Sequence, residues 1–463
     1  MQLLYAQSTA GIPITASGKL ATVSLPGHGF TALGQEACLS GNPDDAMNGG
    51  FPVVSILSKD QFVVQLDSVP ANPNSGPLTQ VGVSHSWASN GLLLWLAAYL
   101  GWQPKLLSCQ AFGGATTAQV AARAHKVASY QARYVFLLAG INDGDAITPA
   151  TSVANLRAFC DAQLAVDSIV IIFSDMPVSA GYGNLSPTAA QRIVERNRLL
   201  QRYVELTPGT VYIGADAVMV NAGDVNGYGQ AAMTFDGLHQ TAMASEGIAR
   251  RAAQTLNSII VPNLTLVSSP IDSRLVNPSS RNVFGNPLFL SGPAGKLLNG
   301  ITGEAANNWA LFGSGITGVG SLVPRTDATV GDSLGNTQQL VLTQTAAFGN
   351  GGVQSYVSPA GYFGAGDLLR VEGEVSVSGL SNVINVYAQL VVFVGGQKYT
   401  GNWSSSSKGA YPQSSWRLPI RMPEMPIPAG AITLANMTIG VTFGAGTTGT
   451  ATLGVARAGC FKV

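Results

Sequence analysis

Apolar and polar positions along the chain change their period twice, and each change marks a change of architecture. In "DQFVVQLDS", residues 60 to 68, Phe62, Val64 and Leu66 fall on one face of a period-two pattern, the pattern of a strand with one side buried. Residues 1 to 70 carry runs of this kind between turns and are expected to form a small β-domain. The stretch "VPANPNSGP", 69 to 77, is built from Pro, Asn, Ser and Gly, sustains neither a helix nor a sheet ladder, and reads as a linker.

From 78 to 262, strand-like runs alternate with amphipathic helical runs. The expected strands are "TQVGVS" (79 to 84), "KLLSCQ" (105 to 110), "YVFLLAG" (134 to 140), "SIVIIFS" (168 to 174) and "TVYIGA" (210 to 215). Between them lie helices such as "SPTAAQRIVERNRLLQRYVEL", with Ser186 placed as N-cap and Pro187 at the first helical position. Strand and helix repeated in this way, with the strands apolar, predict a parallel sheet covered on both faces. Ligands of such sheets bind at the carboxyl ends of the strands.

A second linker, "VSSPIDSRLVNPSSRN", follows at 267 to 282. From 283 to 463 short strands such as "LLRVEGEVSVSG" and "NVYAQLVVFVGG" recur between Gly-rich turns, which predicts a β-sandwich, a jelly roll. The expected organisation is therefore a small β-domain (1–70), an α/β domain (78–262) and a β-sandwich (283–463).

Composition narrows the partners. Twenty-four basic residues balance 24 acidic ones among 463, which removes the positive field that nucleic acid or an anionic membrane requires. The longest apolar run, "LLLWLAAYLGW" at 92 to 102, is about half of a bilayer span. No signal peptide is read at "MQLLYAQSTAG", so export is expected by lysis or within a particle. Cys38, Cys109, Cys160 and Cys460 are scattered, without metal-ligand spacing, and are expected to be buried free thiols.

The ends of the expected strands gather the candidate chemistry. "VSHSWASNG" places Ser86 at a strand-to-helix turn, "AFGGATTAQ" offers the backbone of Gly113 and Gly114, and "AGINDGD" adds the amide of Asn142. "MTFDGLHQTA" then sets Asp236 three residues before His239. Taken singly, each has an ordinary role as a cap, a turn or a surface residue. Taken together they supply a nucleophile, a base, a carboxylate to orient the base, and donors for an oxyanion.

The segments "SHS", "GGATT", "GIND" and "DGLH" resemble the sequence blocks of the SGNH, or GDSL-like, hydrolases. The resemblance implies a flavodoxin-like three-layer α/β/α domain and a serine esterase that needs no cofactor or metal. It implies Ser86 as nucleophile, Asp236 and His239 as its partners, and an oxyanion hole from Ser86, Gly114 and Asn142. Where the family has Gly-Asp-Ser, this chain has Ser84, His85 and Ser86. The 283–463 region resembles carbohydrate-binding jelly rolls, which makes Trp309, Trp403, Trp416 and Tyr411 candidate sugar platforms. The N-terminal stretch resembles small β-domains of bacteriophage tail proteins.

Together these resemblances imply a virion-associated deacetylase of an acetylated host polysaccharide. Other virion proteins are the expected protein partners, and a trimer is the assembly that fibre-like virion proteins favour. The competing readings are a lipase or thioesterase on the same fold, and a non-catalytic virion adhesin.

Overall fold

Alternate residues of a strand point to opposite faces, and in Ile169–Phe173 both sets are buried: Val170 and Ile172 on one side, Ile171 and Phe173 on the other. Such a strand must lie inside a sheet covered twice, and it does. In the computed structural model it pairs in parallel with Tyr134–Leu137 on one side and Thr210–Ile213 on the other. The helix Pro149–Leu164, started by the Thr148 side chain on the N–H of Thr151, covers one face. Its Leu156, Phe159 and Cys160 pack with Val135, Leu137, Val170 and Ile172, and Leu200 and Tyr203 of the helix Pro187–Glu205 join the same core.

The structure describes residues 4–26, 28, 36–83, 91–102, 107–108, 110–111, 114–180, 182, 187–264, 266, 272–273, 280–290, 295–325, 335–357, 362–406, 409–428 and 430–463. The chain forms two compact units. One holds residues 2–87 and 105–240; the other holds 88–104 and 241–463.

In the first unit the N-terminal strands make a seven-stranded sheet in the order Leu4–Ile12, Leu78–Val83, Glu36–Ser40, Gly49–Ser58, Gln61–Gln65, Leu20–Ser24, Ile14–Ser17. Its end strands are separated only by Pro13, so the sheet curls back around Val23, Phe51, Phe62, Val64 and Leu66. The run at 79 to 84 was expected in the parallel sheet, and here the structure corrects the expectation. Leu78–Val83 pairs antiparallel with Leu4–Ile12 and Glu36–Ser40, burying Leu78 and Val81 in the N-terminal core. An apolar run specifies burial and leaves the pairing partner open. Of the run at 105 to 110, residues 105, 106 and 109 lie outside the described residues, and 107, 108 and 110 are not in a strand.

The second unit contains a β-sandwich. One sheet orders Lys296–Leu297, Ala310–Ser314, Asn350–Val357, Ile432–Phe443, Val383–Val394 and Gln397–Ser404. The other orders Ile301–Gly303, Ile316–Pro324, Asn336–Gln344, Thr450–Lys462, Leu368–Ser381 and Trp416–Arg421. The chain crosses repeatedly between the sheets, and the inward sets Val386, Ala388, Leu390, Val392 and Val371, Val375, Leu453, Val455 are buried.

The helix Leu92–Leu100 is apolar on all sides, which only a fully covered helix tolerates. It packs in this unit against the helix Ala242–Leu256 and the strand Trp416–Arg421. Trp95 sits edge-on to Trp403 at 6.2 Å and to Trp416 at 5.5 Å between ring centroids.

That packing corrects the platform assignment. Trp309, Trp403 and Trp416 are 2 %, 1 % and 7 % exposed, and Tyr411 is buried with its hydroxyl on Ser405. Trp309 stacks at a tilt on Phe289 and donates its indole N–H to the Asn286 carbonyl. A ring enclosed on both faces has none to offer a sugar. Cys160 and Cys460 are buried free thiols. Among the described residues no helix is long and apolar enough to cross a membrane.

Candidate active site

Asp236 organises its own turn. Its Oδ1 accepts the backbone N–H of Leu238 at 3.0 Å and of His239 at 2.7 Å, while Oδ2 lies 2.7 Å from His239 Nδ1. Between them Gly237 has a φ of +89°, and a Cβ there would fall 2.8 Å from the Tyr182 ring. Both the backbone sign and the close ring call for glycine. The turn is closed by Phe235 N–H on the His239 carbonyl and by bridging of Thr234 with Gln240. The Phe235 ring stacks on the imidazole at 5.7 Å.

Partial burial pushes the Asp236 carboxyl up, but the hydrogen bonds from the His239 N–H, the His239 ring and the Leu238 N–H outweigh it and hold the carboxyl at about 2. An ionised Asp236 accepts Nδ1–H, so the lone pair of the neutral imidazole sits on Nε2. The His239 side chain is 66 % exposed.

The candidate oxyanion donors come from two loops that touch. Gly114 has a φ of +82° and open space around it, two residues before the capping box in which Thr116 and Gln119 begin the helix Thr117–Ala122. Asn142 is exposed in the single helical turn Ile141–Asp143 and donates one amide hydrogen to the Ala115 carbonyl at 3.1 Å. A carboxamide has two N–H donors; the second is the one an oxyanion can take.

Ser86 lies outside the described residues, as do Ser84, His85, Gly113 and Ser186. The structure thus joins Asp236 to His239 and the Gly114 loop to Asn142. His28 bonds the Ser58 carbonyl within the N-terminal sheet at 2.9 Å.

Residues 71–243 match the model of the GDSL-like Lipase/Acylhydrolase family. This segment is a GDSL-like acylhydrolase domain. The match covers less than half of the chain and contains every candidate triad and oxyanion residue. Comparison with curated proteins finds no match.

Among solved structures, the chain is similar to a carbohydrate esterase family 3 from Talaromyces cellulolyticus, at 17 % identity over 34 % of this chain and 77 % of that one, with a TM-score of 0.26. It is similar to the enzymatically active domain of bacteriophage CBA120 tailspike protein 4, at 10 % identity over 34 % of this chain and 20 % of that one, with a TM-score of 0.23. It is also similar to a carbohydrate-binding module of the β-sandwich superfamily, at 10 % identity over 34 % of this chain, with a TM-score of 0.26; the chain spans 58 % of that module's length. Likenesses at this level fix neither substrate nor mechanism.

Three charged residues of the GDSL-like domain are buried where the sequence pattern does not mark burial. Asp143 is 2 % exposed, and Asp175 and Arg196 form a buried ion pair at 1 % and 2 %. Burial pushes the Asp175 carboxyl up to about 6, even with the Arg196 guanidinium against it. Their signal was faint: each stands in a run that reads equally well as a solvated loop or helix face.

Proposed function

We propose that the protein is a serine esterase that removes O-acetyl groups from a polysaccharide, as part of a phage particle acting on a host surface glycan. The observation that carries the reading is the Asp236–His239 pair: an ionised carboxylate 2.7 Å from Nδ1, in an exposed turn of a GDSL-like acylhydrolase domain. The N-terminal sheet, with its resemblance to small β-domains of virion proteins, supports the particle setting, with other virion proteins as neighbours and a trimer as the assembly.

In this reading the Ser86 hydroxyl attacks the acetyl carbon and gives its proton to His239 Nε2. The oxygen of the tetrahedral adduct takes hydrogen bonds from the N–H groups of Ser86 and Gly114 and from the Asn142 amide. His239 then gives that proton to the sugar oxygen as its bond to the acetyl carbon breaks, so the sugar departs as a free hydroxyl. A water, deprotonated by the same imidazole, releases acetate from Ser86. Side chains alone move the protons, so activity persists in EDTA.

The test is acetate release from a panel of O-acetylated bacterial and plant glycans by wild type and Ser86→Ala. Release by the wild type alone, with a p-nitrophenyl ester series falling steeply beyond propionyl, is the expected result. Equal rates from both proteins remove Ser86 from the chemistry. A preference for long acyl chains replaces the deacetylase with a lipase or thioesterase, and a wild type inert on all substrates leaves an adhesin.

A further inference from the structure

We infer that the buried Arg196–Asp175 pair is a positioning device for the turn that carries Asn142, a role that rests on the esterase reading above. Arg196 Nε and Nη2 both engage Oδ2 of Asp175, and the Asn197 side chain brackets the Asp175 backbone, accepting its N–H at 2.8 Å and donating to its carbonyl at 3.0 Å. The pair is thereby fixed in place before it touches the turn.

Gly140 lies directly against it. A Cβ on Gly140 would fall 2.5 Å from both Asp175 carboxylate oxygens and 2.7 Å from Arg196 Nε, and its φ is +140°. The N–H of Ile141 donates to the Asp175 carboxylate. On the other side of Asn142, the Asp143 carboxylate accepts Thr117 N–H at 2.8 Å, Thr117 Oγ1 at 2.7 Å, and the Ser152 hydroxyl. Asn142 is therefore the exposed residue of a turn whose neighbours on both sides are held by buried carboxylates.

A purely structural role is a poor account of the pair. Desolvating two charges costs about what their attraction returns, so buried ion pairs contribute little net stability, and apolar replacements of similar volume are often tolerated. An oxyanion donor, by contrast, depends on placement to a fraction of an ångström, because it must aim at an oxygen that exists only in the transition state. The rigid bidentate fork of Arg suits that task.

The test is a kinetic cycle on p-nitrophenyl acetate using the full chain. The variant Asp175→Leu/Arg196→Met keeps the volume and removes both charges. It is expected to keep KM within about two-fold and to lower kcat on the order of 100-fold, near the loss for one oxyanion donor. In an Asn142→Ala background the same replacement is expected to cost less than about three-fold, because the donor it positions is already gone. If the double replacement does not fold, Arg196→Lys, which keeps the cation but loses the contact under Gly140, takes its place in the cycle with an expected kcat loss of about ten-fold. Equal losses with and without Asn142, or a lowered melting temperature with unchanged kcat, overturn the inference. A wild type inactive on every ester overturns the esterase reading instead.

Discussion

His239 and Asp236 meet through Nδ1 and Oδ2 at 2.7 Å, and the second oxygen of the same carboxylate holds the backbone N–H of His239. One carboxylate thus fixes both the ring and the peptide that carries it. Asp236→Asn keeps the shape and an acceptor oxygen but loses the charge that favours the Nδ1–H tautomer. It is expected to lower kcat on p-nitrophenyl acetate by roughly 10³ to 10⁴, with the circular dichroism spectrum unchanged. A loss under ten-fold would assign the orienting role to another group.

The turn between the two residues makes a separate demand. Gly237 has a φ of +89° and abuts Tyr182, so Gly237→Ala meets a left-handed penalty of roughly 1–2 kcal/mol and a ring that must move. The expected outcome is a melting temperature lowered by a few degrees and a kcat reduced more than ten-fold, since the strain falls between base and carboxylate. Stability and turnover measured on one preparation separate the two effects.

Asn142 offers one amide hydrogen to Ala115, and in the proposed reaction the other is the oxyanion donor. Asn142→Ala is expected to reduce kcat on the order of 100- to 1000-fold with a small change in KM, because the bond matters most when the oxygen is charged. A loss below about ten-fold excludes Asn142 as an oxyanion donor.

Two carboxyl groups with shifted titration act on stability in opposite directions. Asp236, held down at about 2 from an ordinary 3.8, contributes stability that is complete above 3.8 and is lost as pH falls through about 2. Asp175 has the opposite sign: raised to about 6, it keeps its proton in the folded chain where the unfolded chain has released it, so its contribution falls as pH rises from 3.8 through 6. Neither group weakens the fold between pH 6 and pH 4, so the melting temperature is expected to hold across that range and to fall as pH drops toward 2. A melting temperature that already falls between pH 6 and pH 4 would assign acid sensitivity to other groups.

The legible part of this fold is the part encoded locally. Asp236, Gly237 and His239 form a turn whose hydrogen bonds close within three residues, so the spacing alone carries the geometry. Ile169–Phe173 announces its burial by being apolar throughout. What sequence leaves open is the partner. Leu78–Val83 has an apolar pattern suited to either sheet and pairs with the N-terminal one. Arg196 stands among charged neighbours in the helix Pro187–Glu205 and reads as solvated, until Asp175, 21 residues earlier, is placed beneath it. Aromatic residues in a β-pattern are silent for the same reason: a core ring and a binding platform share one sequence signature.

Trp403 makes that ambiguity measurable. At 1 % exposure, edge-on to Trp95, it is part of the packing between the helix Leu92–Leu100 and the sandwich. Trp403→Ala is expected to cost about 3–5 kcal/mol in urea unfolding, the range for emptying a large aromatic site, and Trp403→Phe markedly less. A sugar platform would behave in the reverse way, with little change in stability and loss of binding to the polysaccharide in affinity electrophoresis. The urea midpoint therefore decides between them, since a ring buried to 1 % exposure is not also free to stack on a sugar.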